Sequence, residues 1–141
     1  MTEEKEEKQN WFDIARQAWL GLAFWLAFGL LIEGLIGLRS PVYLQDPVRR
    51  ELLRLAHAHG TILSLLLLIA NLYIQKGLNA PPKLAVVALR AGVFVMPIGF
   101  LLGGIWHYES DPGIGIFLAP VGGLLIIFGV IAFAVSGKAK I

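Results

Sequence analysis

The sequence predicts an all-α integral membrane protein, a single up-down-up-down four-helix bundle, on three observations. Of its 141 residues, 57% are hydrophobic and 16% are charged, which is too apolar for a domain dissolved in water. Four apolar stretches are each long enough to cross a hydrocarbon core, which takes about 20 helical residues. None of them alternates apolar and polar residues as a barrel strand does, and a backbone in lipid must then bond to itself as helix.

Residues 1–10 carry four Glu and read as an acidic, solvated cytoplasmic tail, too acidic for a targeting sequence. Residues 11–141 form one transmembrane domain. Its first segment runs from about Trp11 to Leu38. Asp46-Pro47 then announces a second helix, since an acidic N-cap followed by proline is a helix start. That helix begins near Pro47, before an apolar run from Leu52 to Gln75, so Arg49, Arg50, Glu51 and Arg54 fall on its interfacial first turns. Asn79-Ala80-Pro81-Pro82 is a turn. The third segment spans about Leu84 to Tyr108. Asp111-Pro112 repeats the start signal, Gly113-x-Gly115 reads as a loosened helix start, and the fourth segment follows from Ile114 to Ser136. Pro97 and Pro120 are expected to kink the last two helices. Gly99, Gly103, Gly122 and Gly123 are expected to let helices approach closely. Trp11, Trp19, Trp25 and Trp106, with Tyr43, Tyr73 and Tyr108, supply aromatics, several of them near the predicted interfaces.

Basic residues orient the bundle. Lys5, Lys8, Arg16, Lys76, Lys83, Lys138 and Lys140 share one side, and Arg39, Arg49, Arg50 and Arg54 the other, which favours both termini in the cytoplasm. The expected location is a bacterial or archaeal inner membrane, with the lipid bilayer as solvent. The charges flank apolar segments instead of forming a basic patch interleaved with aromatics, so nucleic acid is not an expected partner. The absence of cysteine removes disulfides, thiolate metal sites and thiol catalysis. A Gly-x-Ser-x-Gly elbow, a His-Glu-x-x-His pair and a P-loop are also missing.

This topology gathers Glu33, His57, His59, His107, Glu109 and Asp111 at the non-cytoplasmic face, including all three histidines. Ionisable residues within a span are costly and tend to face the bundle interior. At 100 degrees per residue, His57 shares its face with Gly60, Thr61, Ser64, Leu68 and Asn71, a polar stripe running inward. His59 lies about 200 degrees round and shares its face with Leu52, Ile62, Leu63 and Leu66. The two therefore cannot chelate one ion from a regular helix. The face of His107 carries Met96, Phe100, Gly103 and Gly104, a groove for a planar macrocycle or a close helix. Asp46 and Asp111 are explained as helix caps. Glu33 is expected either to pair with Arg50 or Arg54, or to orient a histidine.

The segment Leu55-Ala56-His57-Ala58-His59-Gly60-Thr61 resembles the His-x-His helix of the heme-copper oxidase superfamily, including its nitric oxide reductase branch. That resemblance implies that His57 and His59 are axial ligands of two different hemes. With His107 as the one remaining histidine, intramolecular ligation extends to a single bis-histidine heme b between His57 and His107, leaving His59 for a partner subunit. Copper or zinc is the alternative, held by His57 and His107 with Glu33 or Glu109 in a mixed nitrogen and oxygen set. The expected function is electron transfer or redox chemistry through such a centre near the outer face. The competing expectation is a non-metal accessory subunit or proton-path component, in a homo-oligomer or a larger membrane complex.

Overall fold

A computed structural model describes residues 2–78 and 81–137, with side chains from residue 13 onward. Asn79 and Ala80 of the expected turn, Lys138, Lys140, and the side chains of Lys5, Lys8 and Trp11 lie outside the described residues. The chain is an all-α four-helix bundle, with α1 (Thr2–Gly37), a short α2 (Pro41–Leu44), α3 (Pro47–Gln75), α4 (Lys83–Ile105) and α5 (Leu118–Val135). Four of these elements are long and apolar enough to cross a membrane: Asp13–Gly37, Pro47–Gln75, Lys83–Ile105, and Ile114–Val135 with its leading 3-10 turn. The protein is an integral membrane protein.

The elements begin and end for local reasons. The backbone of the acidic tail continues α1, whose 36 residues extend about 54 Å, well beyond a hydrocarbon core of about 30 Å. Asp46 caps α3 as its position before proline predicts, its Oδ1 accepting from the Arg49 amide at 2.9 Å. Asp111 does not act as the equivalent cap. It forms an isolated bridge with Tyr108, and the chain turns through Gly113 into a 3-10 helix, Ile114–Phe117, before α5 starts. The loosened start comes from Gly113, whose amide donates to the Gly103 carbonyl at 2.9 Å and so ties the turn to the end of α4. Pro120 lies in the first turn of α5, where its missing amide costs no helical bond, so the expected kink has no cause there.

The long helices pack in chain order, α1 on α3, α3 on α4 and α4 on α5, and α1 and α5 occupy the two ends of the row. Ile14 and Ala18 from α1, Leu63, Leu67 and Ala70 from α3, and Leu89 and Val93 from α4 build the larger core. Ile32, Tyr43 and Leu53 build a smaller one beside the α1–α3 connection. The most apolar windows of the end helices are only 17% and 22% buried, against 39% for α3 and α4, so the end helices turn most of their surface to lipid.

Candidate functional site

The contact between α1 and α3 is reciprocal. Gly60 of α3 has no side chain, and the Trp25 indole from α1 fills that space. Gly29 of α1 likewise gives up its side-chain space to the imidazole of His57 on α3. Trp25 is 2% exposed, so it is a core residue and not one of the interfacial aromatics. His57 Nδ1 lies 2.8 Å from the Trp25 carbonyl. A carbonyl only accepts, so Nδ1 donates to it, and in the neutral ring Nε2 is then the acceptor nitrogen. One turn deeper, Ser64 donates to the Gly60 carbonyl at 2.7 Å within its own helix. The inward stripe of α3 is therefore the face that meets α1, with Gly60, Ser64 and Asn71 all buried.

Beside His57 the same two helices part into a half-open cleft of about 370 Å³, lined by Gly29, Ile32 and Glu33 of α1 and by Glu51, Arg54, Leu55, His57 and Ala58 of α3. Glu33, Glu51 and Arg54 are exposed around it. No ion pair within 4.0 Å joins Glu33 to Arg50 or Arg54 among the described residues, so the expected structural pairing of Glu33 does not form. Arg50 instead donates to the Leu44 carbonyl at 3.1 Å.

His107 belongs to a different structure. Its Nε2 is 2.7 Å from Asp46 Oδ2 and its Nδ1 is 3.1 Å from the Glu109 carbonyl. Both partners are acceptors, so the two bonds coexist only when the ring is a protonated imidazolium. Arg49 reinforces the junction, donating to the Val42 carbonyl at 3.1 Å and to the Gly104 carbonyl at 3.4 Å, with its guanidinium 3.7 Å from Asp46. Partial burial raises the Asp46 pKa. The Arg49 amide, the His107 hydrogen bond and the charges of His107 and Arg49 outweigh it, and the carboxyl titrates below its ordinary value. Together these groups clasp α2 to the start of α3 and the end of α4. Glu109 is exposed, at a positive φ of 49°, and contributes its backbone carbonyl.

His59 turns to the other side of α3, as the helical phase requires, and its ring sits 4.9 Å from that of Phe100 on α4. Its Nδ1 is 2.9 Å from the Leu55 carbonyl of its own helix. The glycine groove of α4 is filled by neighbouring elements: Gly103 meets Ile116, and Gly104 meets Leu52 and Leu53. A close helix, not a macrocycle, occupies it.

The structure thus brings Glu33 to the His57 cleft and Glu109 to His107, and keeps the two pairs apart. From Asp46, which His107 bonds, to His57 is eleven residues of α3, a rise of about 16 Å. Two imidazoles sharing one metal ion stand about 4 Å apart, nitrogen to nitrogen. Among the described residues no three His, Asp or Glu are placed to hold a metal ion. The residues present do not fit an intramolecular bis-histidine heme or a mononuclear His57–His107 centre.

A second intramembrane ion stands at the opposite end. Arg90, within α4, donates from Nε to Gln17 Oε1 of α1 at 2.6 Å, and Gln17 Nε2 donates back to the Arg90 carbonyl at 3.2 Å. A lone arginine inside an apolar span was the available signal for it. Comparison of the chain with protein-family models, with curated proteins and with solved structures finds no match.

Proposed function

We propose that this is a membrane-embedded binding protein that takes a lipophilic ligand with a polar head into the α1–α3 cleft from the outer leaflet. The observation that carries the reading is the cleft itself, open on one side, with His57 as its innermost polar group and Glu33, Glu51 and Arg54 nearer its outer rim. Ligand sites in membranes combine apolar walls with a few placed polar groups, and intramembrane ionisable residues mark function. The distribution of Lys and Arg supports both termini on the cytoplasmic side of a bacterial or archaeal inner membrane, with the cleft toward the outside. The test is organic extraction of the purified protein and mass analysis of what it carries. Ala58→Trp, which fills the cleft, is expected to lose a compound that the wild type retains. Equal content in both would end this reading.

A second reading, redox chemistry with heme b, copper or zinc, is favoured by one detail. Both His57 and His59 hold a backbone carbonyl through Nδ1, the state in which a histidine offers Nε2 to a metal. Since one chain does not assemble a ligand set, such a centre requires His59 and a ligand from a second subunit, in a homo-oligomer or a larger complex. Absorption spectra of oxidised and reduced protein, with metal analysis, test it; a colourless, metal-free preparation retires it. His59→Leu then separates the accessory-subunit alternative, for which assembly is lost while any bound cofactor remains.

A further inference from the structure

We infer that the α1–α3 cleft recognises a zwitterionic phospholipid headgroup, a phosphate followed by a primary ammonium, an inference that rests on the binding role given to the cleft above. Residues of both charges line it. Helix α1 runs outward and α3 runs inward, and Gly29 and His57 meet at one level. From that level, Arg54 lies three residues outward along α3, about 4.5 Å. Glu33 lies four residues outward along α1, about 6 Å, and Glu51 six residues outward along α3, about 9 Å.

One cation and two anions therefore line the same cleft, with no ion pair within 4.0 Å between them among the described residues. A phospholipid of the outer leaflet carries both charges on its head. Its phosphate is matched by Arg54, which offers a planar fork of donors. Its terminal ammonium is matched by Glu33 and Glu51, one from each wall. Its glycerol and an acyl chain then lie deeper, toward His57, Ala58 and the lipid-facing Ile62. A purely anionic head would set its phosphate and a neutral group against two carboxylates, whose charge it could not offset. Opposite charges held apart around one cavity are complementary to a ligand that carries both.

The experiment is native mass spectrometry of the full-length protein in mild detergent with equimolar phosphatidylethanolamine and phosphatidylglycerol. The wild type is expected to bind the ethanolamine lipid about fivefold in excess, equivalent to about 1 kcal/mol. Glu33→Gln with Glu51→Gln is expected to bring the ratio to parity, and Arg54→Gln to weaken both lipids together. Parity in the wild type, a preference that survives the paired glutamine substitutions, or full binding by Arg54→Gln overturns the inference. Far-ultraviolet circular dichroism checks that each variant folds, and Glu51→Gln alone, with an intermediate ratio expected, serves if the pair does not. Ala58→Trp distinguishes the two levels of the argument: if it abolishes lipid binding while the wild type shows no headgroup preference, the cleft stands and the zwitterion falls. If it leaves lipid binding unchanged, both fall.

Discussion

Four residues decide how α1 meets α3, and they work as two interlocked pairs. Trp25 needs the absence of a side chain at Gly60, and His57 needs the same at Gly29. Trp25→Ala is expected to cost about 3 kcal/mol, the scale for emptying a buried aromatic site. Gly29→Leu should cost a similar amount by expelling the imidazole; both are measured by reversible unfolding in mixed micelles. His57→Phe keeps the ring but loses its bond to the Trp25 carbonyl, and membrane hydrogen bonds of this kind contribute about 0.6 kcal/mol. A loss several times larger in His57→Phe would mean that the ring does more than join two helices. Helical phase alone shows that His57, Gly60, Ser64 and Asn71 share a face. It does not show which helix that face meets, because complementarity between a glycine and an aromatic ring is a property of two surfaces and not of one sequence window. His107 carries a pH consequence through Asp46. The carboxyl titrates below its unfolded value of 3.8, so its stabilising effect is complete above that value and is lost as pH falls through the lower folded-state value. Thermal unfolding followed from pH 5 to pH 2 should decline below 3.8 in the wild type and flatten in Asp46→Asn.

Among the helices, the two Asp-Pro pairs illustrate what local sequence can and cannot specify. Both carry the same start signal, but only Asp46 caps a helix. The chain after Asp111 is captured instead by the Gly113 amide bonding back to Gly103, and a tertiary bond of that kind has no local signature. The glycines of α4 and α5 are more legible, since small residues at helical spacing announce close approach. The structure supplies the pairing: Gly122 lies against the backbone of Met96, and Gly99 against that of Ala119. Bulk at these sites meets backbone, which cannot swing aside. Gly122→Leu is therefore expected to separate α5 from α4, read as faster proteolysis of the C-terminal segment. The same change at Gly123, which has open space around it, should leave the protein unaffected. The Arg49 clasp predicts a third outcome. Arg49→Ala should raise hydrogen exchange at Gly104, Ile105 and Trp106 while leaving exchange at Leu89 and Val93, deep in the larger core, unchanged.

For the molecule as a whole, the number of spans and their antiparallel order were readable because hydrocarbon thickness imposes a length on every apolar helix. The extent to which α1 and α5 face lipid was not, because neither carries a polar stripe along its apolar stretch and their sequence gives no contrast between a lipid face and a protein face. Brominated lipids make that contrast measurable. In single-tryptophan variants, Trp19, at 61% exposure, is expected to be quenched strongly and Trp25 hardly at all. Equal quenching of the two would place the α1–α3 seam in lipid and contradict the packing described. Chain-order packing also bears on biogenesis. Each helix leaving the ribosome finds its main neighbour already in the bilayer: α3 docks on α1, then α4 on α3, then α5 on α4. Apart from the Gln17–Arg90 pair and the part of the larger core that α4 completes, no early helix waits for a late one, so assembly can keep pace with insertion, and a chain truncated after Gln75 should already protect Trp25 from quenching.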